Sequence, residues 1–444
     1  MASLRDLTDS QLTIIFATSP TGLGHLRVTD ALYHGLPKNT SPLLLGAQDP
    51  SVSAMYRFVS IHPFTRRIME RMELPPLNKP FAAFGRMIIR SQTTLLYQQL
   101  KTILNERLNV PKKVLLVATH TTLGHQLGAI KKSIEKEMGI EIILVLQVTD
   151  DSPQPIWYVH EADAIFVPSE YTKKKLLSYA REAHLPQVPV IVSAYPISPF
   201  FSQRLSQSEW AEREKQSEPE SPARIHISLP ISGAAVGMSF SSQYIKDMHQ
   251  LSDKFFFHVT SREAEYTAAL IQDLQSLHYV KLYTSPYDMK TVDNYEQVFK
   301  ETTIAFEVTK PSEQAFKTLA IPKERGGVIM LFAHPVGGQE YDNLHFLRNH
   351  GLMPSTKENE VLWQCANTNE LVPDELMQKA HHWRALRLPI DPNAAALFTF
   401  WGLNQKLFSL MMQYERLDKS VEVQSNGVEQ FWQHVVQQLD KKRD

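Results

Sequence analysis

Short apolar runs rich in β-branched residues alternate with longer helical patterns along nearly the whole chain, and that alternation is the strongest constraint on its fold. In the first half the expected strands are Leu12–Thr18, Lys113–Ala118, Glu141–Val148, Asp163–Val167 and Val188–Val192. Expected helices lie between them, over Leu26–Leu36, Gln92–Leu108, Gly124–Glu137 and Glu170–Ala183. The runs LLVA at Leu115–Ala118 and IILVL at Ile142–Leu146 are continuously apolar, as strands buried on both faces of a parallel sheet must be. From Phe201 to Arg224 the composition turns polar and reads as a linker. Strands then resume at Arg224–Leu229, Lys254–Val259, Tyr279–Tyr283, Thr303–Val308 and Gly327–Phe332, with a helix such as Arg262–Leu277 between them. A length of 444 residues, at roughly 100–200 per domain, fits two such units and an appendage. The expected partition is an α/β domain at 1–200, a linker at 201–223, a second α/β domain at 224–392, and helices at 393–444 packing back as a tail. Both domains are expected to be Rossmann-like and doubly wound.

Composition excludes several functions. Lys+Arg of 46 against Asp+Glu of 47 leaves a formal charge of -1, so no global field exists to hold nucleic acid. A 43% hydrophobic and 21% charged chain is an ordinary globular one. The single cysteine, Cys365, can form neither an internal disulfide nor a multi-thiolate metal site. Met1–Gln11 carries Arg5, Asp6 and Asp9, the run Leu12–Ala17 is too short for a signal peptide, and no stretch is long and apolar enough to span a bilayer. A cytoplasmic location is the expectation.

Glycine is scarce, at 17 residues, or about 4% where about 7% is usual. Ten of them fall in four places: Gly22 and Gly24; Gly124 and Gly128; Gly233 and Gly237; and Gly326, Gly327, Gly337 and Gly338. Such residues serve where the backbone needs positive φ or must approach a ligand closely, although tight turns alone also use them.

The first place is IIFATSPTGLGHLRVTDAL, residues 14–32. A strand runs through Gly22-Leu-Gly24 to His25 and into a helix, at the strand end where open α/β sheets collect ligands. It is not a full dinucleotide fingerprint, because Arg27 stands where the third glycine would be. His25 can accept a proton near neutral pH, or can simply bond backbone at a helix start. TGLGH at 21–25 is echoed by TTLGH at 121–125, which is read as two strand–turn–helix units of one sheet. The strand ending Val148-Thr149-Asp150-Asp151 places carboxylates in the same crevice, where Asp150 would accept from substrate hydroxyls or orient His25, unless Asp-Asp-Ser-Pro is only a turn. Ser232, Gly233, Ala234, Ala235 and Gly237 form a strand-to-helix turn small enough for a diphosphate. Finally, two polar clusters follow apolar strands: Lys310-Pro311-Ser312-Glu313 and Gly338-Gln339-Glu340-Tyr341-Asp342-Asn343. Acceptors and amides so dense suit the hydroxyls of a ribose or hexose, although caps and helix surfaces use the same residues.

The order of these clusters resembles the two-domain GT-B glycosyltransferases, with the nearest likeness to monogalactosyldiacylglycerol synthases and the peptidoglycan N-acetylglucosaminyltransferase. The likeness rests on Gly22-Leu-Gly-His25, Val148-Thr149-Asp150 with Trp157 downstream, Pro168-Ser169-Glu170, Ala194-Tyr195-Pro196, Thr309-Lys310-Pro311-Ser312-Glu313, Gly338-Gln339-Glu340-Tyr341-Asp342-Asn343 and Gly351. It implies two Rossmann-like domains facing across a cleft. It also implies transfer of a sugar from a nucleotide donor, UDP-linked, with inversion and with neither metal nor cofactor. His25 would be the general base, with Asp150 beside it. Gly22, Gly24, Ser232, Gly233, Lys310, Ser312, Glu313, Gly338, Gln339, Glu340 and Asn343 would hold the donor, Glu313 toward the ribose and Gln339 and Glu340 toward the sugar.

The family's glycine-rich run after Lys-Pro is reduced here to Ser312-Glu313, and Ala194-Tyr195-Pro196 lacks the family glycine. Two alternatives therefore stay open: a nucleotide-sugar epimerase or hydrolase of the same fold, and a degenerate protein serving as nucleotide-sugar sensor or binding module. The acceptor is unidentified, with a lipid-linked one among the candidates. Arg57–Arg90 carries seven basic residues against Glu70 and Glu73 and is interleaved with apolar side chains. That pattern suits peripheral contact with an anionic membrane, or a core-packing helix pair with a basic outer face.

Overall fold

In the computed structural model, described for residues 4–19, 23–46, 78–107, 111–233, 235–332, 335 and 337–441, the chain forms two compact units. The first comprises Met1–Pro199, Gly337–Asp342 and Asn426–Asp444. Its strands are β1 (Leu12–Thr18), β2 (Leu43–Gly46), β3 (Lys113–Ala118), β4 (Glu141–Gln147), β5 (Ala164–Val167) and β6 (Val190–Val192). All pair in parallel in the order β2-β1-β3-β4-β5-β6. The chain thus steps outward from β1 to β2, then turns back across β1 to β3, so the strand order reverses between β1 and β3. Val114–Ala118 and Ile142–Leu146 are wholly buried, as their unbroken apolarity requires.

The connecting helices are α1 (Leu23–His34), α2 (Asn78–Ser91), α3 (Thr94–Asn105), α4 (Thr121–Met138) and α5 (Glu170–Glu182). Each stops or starts on local chemistry. Helix α4 ends where Gly139 takes φ 66°, and the Ser169 hydroxyl caps α5 by accepting from the Thr172 amide.

The second unit comprises Phe200–Val336 and Asn343–Ser425. Its strands β7 (Ile225–Pro230), β8 (Phe255–Arg262), β9 (Val280–Ser285), β10 (Phe306–Thr309), β11 (Val328–Leu331) and β12 (Ala385–Arg387) form a parallel sheet of order β12-β11-β10-β7-β8-β9. Here the order reverses between β7 and β10. Helices α6 (Gln207–Ser217), α7 (Met238–Leu251), α8 (Ala268–Gln275), α9 (Asp288–Glu301), α10 (Gly338–Asn349), α11 (Thr356–Thr368), α12 (Asp374–Ala380), α13 (Pro392–Asn404) and α14 (Leu407–Met412) complete it, with the first turn of α10 counted in the first unit.

Two expectations about organisation change. The polar stretch read as a linker at 201–223 contains α6, opened by a reciprocal cap between Ser206 and Glu209. Its Arg213 is 1% exposed and donates to the carbonyls of Pro322, Glu324, Arg325 and Gly326. Four carbonyl acceptors hold the two terminal nitrogens of this buried guanidinium, and burial still pulls its pKa down to about 9. The stretch is therefore not a tether but carries a helix anchored by buried Arg213, Gln216 and Ser217, with much of its polar face exposed.

The tail from 393, expected to pack back across the domains, divides at Ser425. Its last helix, α15 (Gly427–Lys441), belongs to the first unit. Trp432 donates to the Leu32 carbonyl at 2.9 Å and meets Phe16 edge-on, while Phe431 packs on Phe166. The helix enters so close to the 194–195 backbone that a Cβ on Gly427 would lie 2.3 Å from the Ala194 oxygen. Among the described residues no helix is long and apolar enough to cross a membrane.

Candidate functional site

The strand-order reversal of the first unit is where β1 hands over to α1 and β3 to α4. Pairing of Ala17 with Ala118 and donation from the Thr119 amide to the Ala17 carbonyl bring the two strand ends side by side. His25, in the first turn of α1, places its Nδ1 2.7 Å from the Thr119 carbonyl oxygen. A carbonyl can only accept, so Nδ1 carries the proton and Nε2 keeps the lone pair. The Thr149 hydroxyl, from the turn after β4, lies 3.2 Å from the same Nδ1. Thr149 is itself fixed by Tyr195, whose hydroxyl donates to its carbonyl at 2.9 Å. Thr29 closes the frame by donating to the His25 carbonyl at 2.8 Å, with its hydroxyl 2.8 Å from that of Thr119.

A second histidine stands in this frame and was not anticipated from the sequence. His120, the residue preceding α4, is 4% exposed, and its ring meets that of His25 edge-on at 4.8 Å. Burial, reinforced by the neighbouring His25, holds the His120 imidazole well below the ordinary histidine range. The motif echo drew attention instead to His125. That ring is wholly buried, bonds the Ile156 carbonyl through Nε2 at 2.9 Å, and is pulled down to about 4 by burial. The missed signal was register: Thr119 and His120 occupy the same place after β3 that Thr18 and Ser19 occupy at the end of β1.

The two carboxylates after β4 separate in role. Asp151 is 2% exposed and accepts from the hydroxyls of Ser169 and Thr172, which ties β4 to the start of α5. Asp150 is half-buried at the strand end, directly after the Thr149 that meets His25. Gly24 is half-buried in the first turn of α1, and Gly22 lies outside the described residues.

At the reversal in the second unit the partners are backbone turns. After β7 the turn folds on itself: the Ala235 amide donates to the Ser232 carbonyl at 2.8 Å and the Val236 amide to the Ser232 hydroxyl at 3.2 Å. Tyr266 donates to the Gly233 carbonyl at 3.3 Å. Gly237, at φ 79°, opens α7, and a Cβ there would lie 2.3 Å from the Phe332 ring. Only glycine meets both demands without strain.

After β10, Ser312 is 7% exposed and Lys310 and Glu313 are half-buried. The Ser312 amide donates to the Lys310 carbonyl at 2.8 Å, and the segment Glu313–Leu319 continues as a tight 3₁₀ helix. That helix is clamped by buried Lys317, which bonds Glu307 of β10, while Tyr295 donates to both Glu307 oxygens at 2.9 and 2.8 Å. Asn343 in α10 is wholly buried and donates to the Pro311 carbonyl at 3.3 Å, which ties it to the turn after β10. In the first turn of α10, Glu340 is 4% exposed and Gly338 and Gln339 are half-buried.

Most of Arg57–Arg90 lies outside the described residues. In its described end, α2, basic side chains are paired and apolar ones exposed. Arg86 bonds the Tyr179 hydroxyl, Arg90 bonds Glu161 and Lys79 bonds Glu182, while Phe84, Met87 and Ile88 are exposed.

No family model matches the sequence, and no curated protein matches it. Solved structures of similar fold include the UDP-N-acetylglucosamine 2-epimerase of Neisseria meningitidis bound to UDP-GlcNAc. It is 11% identical over 96% of this chain and 99% of that one, with a TM-score of 0.49. A UDP-glucosyltransferase of Polygonum tinctorium capable of glucosylating indoxyl is 9% identical over 95% and 98%, at 0.43. MurG of Acinetobacter baumannii is 11% identical over 97% and 99%, at 0.44.

Proposed function

We propose that this chain is a nucleotide-sugar-dependent glycosyltransferase in which His25 activates the acceptor and the turns after β7 and β10, with the start of α10, bind the donor. The observation that carries the reading is the tautomer of His25. With Nδ1–H donated to the Thr119 carbonyl, Nε2 carries the lone pair that a general base needs. It would remove the proton from an acceptor hydroxyl as that oxygen bonds the anomeric carbon and the bond from that carbon to the diphosphate breaks, inverting the centre. Asp150 would orient the acceptor. The turn at Ser232–Gly237 and the N-terminus of α7 would take the diphosphate, whose charge on departure backbone N–H groups can stabilise. Lys310, Ser312 and Glu313 would lie toward the ribose, with Glu340 and Gln339 toward the sugar and Asn343 holding the Pro311 turn in place.

The Lys310-Pro311-Ser312-Glu313 loop, shortened relative to the transferases it resembles, favours a degenerate binding module, and the enzymatic alternative is an epimerase or hydrolase of the same fold. Release of free sugar without an acceptor would favour it. Calorimetric titration with a UDP-sugar tests the donor assignment. Gln339→Ala and Glu340→Ala should each weaken binding about tenfold, the worth of one or two lost hydrogen bonds. Unchanged affinity in both variants would remove the donor from these residues.

A further inference from the structure

The Thr119–His120 turn is rigid before any ligand arrives. Its amide end is tied to β1 through the Ala17 carbonyl at 3.1 Å, and its carbonyl end begins α4 by accepting from the Gly124 amide at 3.0 Å. Between these ties His120 takes extended backbone angles, φ -129° and ψ 129°, which bring its ring against that of His25. One turn thus supplies both the carbonyl that selects the His25 tautomer and the ring beside its imidazole.

We propose that His120 is a positioning residue for His25, its buried ring forming the wall that keeps His25 Nδ1–H on the Thr119 carbonyl and leaves the lone pair on Nε2. The proposal rests on the reading of His25 as the base. An imidazole can rotate about its bond to Cβ, and a single hydrogen bond worth about 1 kcal/mol would leave a sizeable minority of other orientations. A ring packed edge-on at 4.8 Å removes the space they need. Because burial keeps His120 neutral, it gives this support without bringing a charge that would oppose proton uptake on His25.

Tautomers are read directly from the nitrogen shifts of ¹⁵N-histidine-labelled protein, the His25 signals being assigned by their loss in His25→Gln. The unmodified protein should show His25 as Nδ1–H. His120→Ala should move a sizeable minority of it to the Nε2–H form and, by loosening the ring, lower turnover of UDP-sugars roughly severalfold with UDP affinity unchanged. His120→Phe, which restores a ring, should recover both tautomer and turnover. If alanine prevents folding, His120→Gln replaces it and is read the same way. An unaltered His25 tautomer in a folded variant without the ring overturns the proposal. The spectrum needs no substrate, so full activity in His25→Gln would refute the base assignment while the tautomer measurement still decides what His120 does.

Discussion

The two strand-order reversals are built differently. Between β1 and β3 the fold brings side chains together: His25, His120, Thr29 and the Thr149 hydroxyl. Between β7 and β10 it brings backbone turns together, the Ser232–Gly237 turn on one strand and the Asn343-braced Pro311 turn on the other. A proton-transfer group needs a fixed tautomer and a controlled environment, which neighbouring side chains supply. A phosphate needs converging N–H groups and room, which a glycine turn at a helix start supplies. On the proposed reading, a strand-order reversal would therefore serve chemistry in one unit and binding in the other.

The largest expected effect breaks this comparison most directly. His25→Ala should reduce turnover of UDP-sugars by roughly a hundred- to ten-thousandfold, the usual worth of a general base, with calorimetric UDP affinity left near normal. Comparable loss of both would mean that the reversals share one task.

The next effect concerns the glycine turn. Gly237→Ala must place a side chain at φ 79° and against the Phe332 ring. It should cost about 1–3 kcal/mol in denaturant unfolding and weaken UDP binding, while the His25 tautomer stays as it was. A stable variant with normal UDP affinity would show that the turn is neither tight nor at the donor site.

The smallest effect separates the units by pH. His350, between Asp418 and Glu422, has its pKa raised above the ordinary value because bonds and charge from both carboxylates outweigh its burial. Its contribution to stability is fully present below the unfolded pKa and lost as pH rises through the folded one. His120, His125 and His258 shift the opposite way, through burial, so their contribution is present above the unfolded pKa and lost on acidification. Hydrogen exchange corrected for intrinsic rate should show the segment around Asp418–Glu422 loosening on mild alkalinisation while the Thr119–His120 turn does not. Equal loosening in the two units, or none at Asp418–Glu422, would count against His350 as a charged clamp.

Much of the architecture was legible in sequence. Ten expected strands correspond to β1, β3–β6 and β7–β11, with ends displaced by a few residues. The two edge strands, β2 at Leu43–Gly46 and β12 at Ala385–Arg387, went unseen because runs of four and three residues are too short to establish a period. Arg213 shows the opposite failure: its neighbourhood is polar by composition, and only the four carbonyls around it reveal that it is interior. At the site, His25 stood out through its glycines, whereas His120 had no motif to mark it.

By itself the sequence determined the α/β class, the two units, the positions of the glycine turns and the candidacy of His25, because periodicity and backbone sterics act over a few residues. Tertiary structure alone decided that Thr119, 94 residues away, selects the His25 proton, that His120 walls its ring, that buried side chains anchor α6, and that the tail is shared between units. These depend on strand order and register, which short stretches of chain do not encode separately.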